Sequence, residues 1–296
     1  MVNMMSMNKI KAFVTAVEYG SLTKAAEKLD YTQPSISHMI SSLEDDFGFS
    51  LLIRGKSGVI PTDNGLALLP AMQDLLKRSQ LLKELVNEIN GMEIGTIRIG
   101  AYTSVCVHWM PTVLSLFNSK YPKIHIQLYE GNSQEIKQWL ESGKIDFGIG
   151  TTQVNQNPHF IPLMQDRMLA ILPKEHPLAS LDSVPLKAFT TEPCIMPYED
   201  SHHDVQFIFK KEKISPNIAY QIRGDEAIIA MVKNGLGISL LSELLIKEHL
   251  TELCARPIEG NYVRSLGILT NAPIQSLSPS SKKFIPFLQE WVLSNY

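Results

Sequence analysis

Gln33, Pro34, Ser37, His38 and Ser41 recur at the spacing of one helical face, with Ser35 beside them. All are short, neutral or hydrogen-bonding side chains near the start of a helix. A helix needs such a surface to enter the major groove of DNA: slim enough to fit, with donors and acceptors for base edges. Arg54 and Lys56 sit at a Gly55-Lys56-Ser57-Gly58 turn, where cations can neutralise phosphates. Thr62, past the second arm of that turn, completes the candidate set for double-stranded DNA. A different chemistry is open to Tyr102-Thr103-Ser104. A strand ends there and a helix begins, so unpaired N–H groups and hydroxyls converge on a point that suits an anion. The alternative is that Thr103 or Ser104 only caps the helix.

Ligands of open α/β sheets sit outside the carboxyl ends of the strands. By the same logic Asn132 and Ser133, Thr151 and Thr152, Tyr198 after Pro197, and Ser201 with His202 are candidates to hold a small-molecule ligand. Arg223 is either a clamp for an acidic effector or a solvated arginine at a strand end. Asp200, His202, His203 and Asp204 carry metal-binding groups. Neighbouring histidines diverge on a helix, however, and these residue types are usual at a helix N-terminus. No metal and no cofactor is expected. The chain has no Gly-rich phosphate loop, no Gly-x-Ser-x-Gly elbow and no metalloprotease helix, so catalysis is not expected either.

The first 62 residues read as three helices and a hairpin. Ile10, Phe13, Val14 and Val17 form an apolar stripe that Gly20 ends. Ser21 caps a second helix with its stripe at Leu22, Ala25, Ala26 and Leu29; the two alanines allow a close helix crossing. Thr32 caps a third, which buries Ile36, Met39, Ile40, Leu43 and Phe47 and turns Gln33 to Ser41 outward. Pro34 is tolerated because the first turn's N–H groups have no helical partner. The acidic run Glu44-Asp45-Asp46 at the far end of this helix is expected to point away from a duplex. Leu51 to Arg54 and Val59 to Thr62 make two strands of a wing.

Thr62 also suits the cap of a long helix over 63–90, ended by Gly91. Leu68, Leu75, Leu82 and Ile89 recur every seven residues, with Met72, Ser79 and Val86 between them. That is a coiled-coil seam, weakened by Ser79 and bent near Pro70. From Thr96 onward strands and helices alternate, which argues for a parallel sheet with crossover helices. One helix is expected from about Ser104 to Ser119, a lobe change over 162–175, a strand at Leu236 to Leu240, and a helix after Arg223 capped by Asp225.

These residues resemble the LysR-type transcriptional regulators. The matching ones are Phe13-Val14, Gly20-Ser21-Leu22-Thr23, Ala25-Ala26, Gln33-Pro34-Ser35-Ile36-Ser37, Leu43-Glu44, Gly48, Arg54 and Thr62 with Gly65. Downstream, Gly95 to Gly100, Tyr121-Pro122, Gly143-Lys144-Ile145-Asp146, His176 to Ala179 and Gly235 to Ile238 continue the likeness. The resemblance implies an α+β multidomain chain. Residues 1–62 would be a winged helix-turn-helix and 63–90 a dimerising linker helix. Residues 91–296 would be a bilobal α/β effector domain like a type 2 periplasmic binding protein. Its lobe I would take 91–161 and 267–296, and its lobe II 162–266. It further implies a homodimer through the linker helix, a homotetramer, and an effector between the lobes. The family usually has a second wing arginine where Ser57 stands, so Lys56 is expected to substitute one residue earlier.

The formal net charge of −3 argues against a generally basic nucleic-acid binder. Residues 1–62 carry equal numbers of cations and anions, so any potential facing DNA comes from placement. Cys106, Cys194 and Cys254 have no zinc or redox spacing and read as reduced thiols of a cytoplasmic protein. The N-terminus has no signal-peptide pattern and no apolar run nears membrane-spanning length, so a cytoplasmic location with no membrane partner is expected. Two other functions share the bilobal fold: a transport-type solute-binding protein and an enzyme. The helix-turn-helix counts against the first, and the missing catalytic constellation against the second.

Overall fold

Glycines and hydroxyl caps set the element boundaries of the N-terminal part. The computed structural model describes residues 6–55, 58–152, 157–198 and 203–296, without the side chain of His203. Helix α1 (Met7–Tyr19) ends at Gly20, whose φ of 60° is left-handed. Helix α2 (Leu22–Leu29) begins where Ser21 Oγ accepts from Lys24 N, and α3 (Gln33–Phe47) where Thr32 Oγ1 accepts from Ser35 N. Strands β1 (Leu52–Gly55) and β2 (Gly58–Pro61) pair antiparallel as the wing. Helix α4 (Asp63–Ile89) starts at the Thr62 cap and runs through Pro70. Ile10, Phe13, Ala25, Ala26, Ile36, Ile40, Leu43, Leu51 and Val59 form the buried core of this region.

Met72 belongs to that core, with Leu68, Leu69 and Leu76 packed around it. This corrects the heptad reading. The seam does not begin at Leu68, because the first turns of α4 close the helix-turn-helix. Its apolar residues stand uncovered only from Leu75 (38% exposed), through Leu82 (63%) and Val86, to Ile89 (84%).

The chain divides into two compact units between Met92 and Glu93, with 141–143 grouped with the first. In the second unit β3 (Gly95–Ala101) leads into α5 (Thr103–His108) and α6 (Met110–Lys120). The single helix expected here is broken at Trp109, since Pro111 has no N–H for the Val107 carbonyl. Then come β4 (Ile124–Glu130), α7 (Ser133–Glu141), β5 (Phe147–Thr151) and the long β6 (Ile161–Leu172). Next are β7 (Cys194–Pro197), α8 (His203–Lys211), β8 (Ile218–Ile222), α9 (Asp225–Lys233), β9 (Ser239–Ser242) and α10 (Glu243–Ile246). The chain closes with β10 (Cys254–Pro257), β11 (Val263–Leu269) and α11 (Pro279–Asn295).

The seven-stranded sheet runs β10-β6-β11-β5-β3-β4, with β9 also on β6. Only β3, β4 and β5 are parallel; β6, β9, β10 and β11 pair antiparallel with their neighbours. The parallel sheet expected is therefore a mixed one, because β6 carries the chain out and β11 brings it back beside it. A separate pair, β7 with β8, is parallel. The expected strand at Leu236–Leu240 lies later, at Ser239–Ser242. Helix α9 is preceded by Gly224, so Asp225 is its first residue rather than its cap. Ile97, Ile99, Trp109, Phe117, Phe147 and Phe284 fill one core of the unit; Met168, Phe189, Met196, Ile208 and Ile238 fill another.

Candidate DNA-reading helix and buried charge network

In the first unit Gln33, Pro34 and His38 are exposed at the start of α3, and Ser37 and Ser41 are half-buried on the same side. The turn holding Lys56 lies outside the described residues. Arg54 reaches back from β1 onto α3. Its Nη1 donates to Ser37 Oγ (3.1 Å), and its Nη2 to Ser41 Oγ (2.8 Å) and Glu44 Oε2 (3.2 Å). Glu44 Oε1 accepts the backbone N–H groups of Leu51 (2.7 Å) and Leu52 (3.1 Å). Glu44 therefore corrects the expectation of an outward acidic run: it ties the wing to α3.

Two other members of the DNA set are engaged at helix starts, Thr62 as a cap and Ser35 as the partner of one. Ser35 donates its N–H to Thr32 Oγ1 and shares a 2.8 Å hydroxyl contact with it. Thr62 Oγ1 donates to Ser50 O (2.8 Å) and accepts from Gly65 N (3.0 Å). Their hydroxyls take part in the hydrogen bonds of helix starts, as short polar residues at these positions do.

In the second unit β6 and β11 set Asp166 opposite Arg264. Both are buried, with side chains 1% and 6% exposed. Arg264 Nε donates to Asp166 Oδ2 (2.8 Å), and its Nη2 to Ser104 Oγ (2.9 Å). Asp166 Oδ1 accepts from Leu244 N (2.9 Å). The third arm, Nη1, lies 3.8 Å from Asp204 Oδ2 on α8. Thr151 Oγ1 donates to Asp204 and meets Tyr102 Oη at 3.1 Å. Tyr102 also hydrogen-bonds Ser133, and burial, with the Asp204 charge, raises its phenol above the usual value. Its ring lies against Gly150, where a Cβ would come within 2.8 Å of it. One network thus joins α5, β5, β6, α8 and β11.

Tyr102, Ser104, Ser133 and Thr151 come together in this network. Thr103 does not: its hydroxyl donates to Glu130 (2.7 Å). Ser104 is buried under Arg264. The anion site expected at the α5 N-terminus is therefore corrected: Arg264 is the positive group there, and α5 is six residues long. Asn132 forms a reciprocal cap with Glu135, each accepting the other's N–H at 2.9 Å. Thr152 follows the end of β5, half-buried. Arg223 stacks over Tyr198 at 5.0 Å. Ser201, His202 and Asp200 lie outside the described residues. Arg264, Asp166 and Asp204 were not in the expected effector set; for Arg264 the signal was a lone charge in the apolar strand β11.

Burial pushes the thiols of Cys106 and Cys194 up to about 12, which leaves them protonated and unreactive. Among the described residues no helix is long and apolar enough to cross a membrane.

Residues 7–66 match the family described as bacterial regulatory helix-turn-helix protein, lysR family, and residues 90–293 match the LysR substrate binding domain. YvbU of Bacillus subtilis, described as an uncharacterized HTH-type transcriptional regulator, is 31% identical over 97% of this chain and 98% of its own. A full-length OxyR variant of Pseudomonas aeruginosa shares the fold with a TM-score of 0.77 at 20% identity, covering 98% of this chain and 95% of that one. The effector binding domain of QuiR in complex with shikimate superposes with a TM-score of 0.59 at 23% identity, over 69% of this chain and 99% of that one.

Proposed function

The chain belongs to the LysR family of transcriptional regulators, and we propose which of its residues read DNA, which hold the effector, and how it assembles. It is a DNA-binding regulator with an effector-binding domain, and not an enzyme. The helix-turn-helix match sets aside the solute-binding and enzymatic alternatives. Gln33, Pro34, Ser37 and His38 enter the major groove, with Arg54 and Lys56 on the wing beside them. The exposed, uncharged start of α3 carries this reading. Each good bidentate base contact contributes roughly 1–3 kcal/mol of discrimination. Gln33→Ala is therefore expected to lower affinity for a selected duplex more than for random DNA at the same salt. Equal losses on both would remove Gln33 from base reading.

The effector is a small anionic molecule held between lobe I and lobe II of the second unit. Arg264 supplies the charge. Its Nε and Nη2 are engaged within the chain, while Nη1 faces Asp204 at 3.8 Å, too far for a direct hydrogen bond. An effector carboxylate or phosphate takes that arm and displaces Asp204, which shifts α8 against β11 and so biases lobe closure. Tyr102, Thr151 and Ser133 belong to the same network and would add neutral hydrogen bonds, with Tyr198 and Arg223 as further candidates. The homologous domain of QuiR holds shikimate, a carboxylate, which is consistent with this chemistry. The chain works in the cytoplasm as a homodimer through the second half of α4, and pairs of dimers form a tetramer. The bound target is an interrupted inverted repeat.

A further inference from the structure

Arg54 faces the hydroxyls of the proposed base-reading face. A guanidinium has five donors and no acceptor. Where Arg54 donates to Ser37 Oγ and Ser41 Oγ, both serines must act as acceptors. Their own O–H protons then point elsewhere. In a helix the usual partner is the carbonyl four residues back, as for Ser119 on Ser115 and Ser294 on Glu290. Among the described residues neither Ser37 nor Ser41 makes that bond. The guanidinium is itself held from behind by Glu44, which the N–H groups of Leu51 and Leu52 fix in place. Gln33, Ser37 and Ser41 follow at i, i+4 and i+8, on one side of α3.

We propose that Arg54 is a positioning residue for base reading: it fixes Ser37 and Ser41 as hydrogen-bond donors directed into the groove. They would then select acceptor atoms on the major-groove edge, namely purine N7, guanine O6 or thymine O4, over the amino groups of adenine and cytosine. This rests on the reading of α3 as the base-reading helix. It gives Arg54 a role that a phosphate contact alone does not.

The test enriches bound sequences from a random duplex pool with the full chain, then repeats this with Arg54→Lys, Arg54→Ala, Ser37→Ala and Ser41→Ala. Arg54→Lys keeps the charge and loses the fork. It is expected to flatten preference, roughly two- to tenfold per position, at the base positions that the two serine variants flatten. The dependence of affinity on salt should stay that of the parent. If Arg54→Lys keeps every base preference, Arg54 is a charge on the backbone and the proposal fails. It fails also if Ser37→Ala and Ser41→Ala flatten no position. A parent chain that enriched no sequence would overturn the base-reading role of α3 and this proposal together, whereas a failure confined to Arg54 leaves α3 standing. Should Arg54→Ala not fold, the lysine and serine variants decide the matter.

Discussion

At the residue scale, the Arg264–Asp166 pair is the charge arrangement on which the second unit depends. Both members are buried, and removing one leaves the other uncompensated, at a cost of about 3–5 kcal/mol. Arg264→Ala is therefore expected to lower the unfolding free energy by that amount, read from the denaturant midpoint. Adding Asp166→Asn should recover most of the loss, since it removes the stranded charge and keeps an acceptor for Leu244 N–H. A double variant no more stable than the single one would mean that Arg264 stabilises by packing. Little of this was legible in the sequence. Tyr102, Ser133 and Thr151 followed from the rule that ligands gather at strand ends. Arg264 and Asp166 are 98 residues apart and meet only through the β6–β11 register. Glu44 was misread for a related reason: an acidic run looks solvated until the wing's N–H groups are seen to end on it.

At the element scale, caps and stripes of the first three helices were readable because each depends on residues within a few positions. The extent of the seam in α4 was not, since period alone does not say which neighbour covers a stripe. The described first unit buries Met72 itself and leaves Leu75, Leu82 and Ile89 open. Leu75→Asp with Leu82→Asp should therefore dissociate a fragment ending at Asn90, measured by sedimentation, by placing charges without partners in the seam. A fragment that still dimerises would put the interface elsewhere. Gly65 makes a second test of this scale. Glycine to alanine inside a helix ordinarily stabilises by about 1 kcal/mol. Here a Cβ would stand 2.3 Å from Leu51 O and 3.3 Å from Pro61 Cβ, against backbone that cannot rotate away. Overpacking of about 1–3 kcal/mol outweighs the propensity gain, so Gly65→Ala should lower the melting temperature. A rise would show that β1 and β2 yield easily to α4.

At the scale of the whole molecule, the proposed function rests on two chemistries in separate units: neutral donors and acceptors on α3, and a buried arginine on β11 paired with Asp166 on β6. The first was legible because short polar residues on an otherwise amphipathic helix are conspicuous in sequence. The second needed the three-dimensional pairing. On the proposed reading, an anion that replaces Asp204 at Arg264 would change how α8 sits on the sheet, and lobe closure would follow. The same reading expects the footprint on DNA to respond even where overall affinity does not. Footprinting of the full chain on fragments of its own genome, with and without a panel of small carboxylates and phosphates, tests this most directly. The expected result is protection of two half-sites in inverted repeat, with a pattern that at least one such anion shifts. That shift, but not the protection, should vanish in the Arg264→Met, Asp166→Asn chain. Sequence-independent protection, or a footprint that no anion alters, would contradict the account.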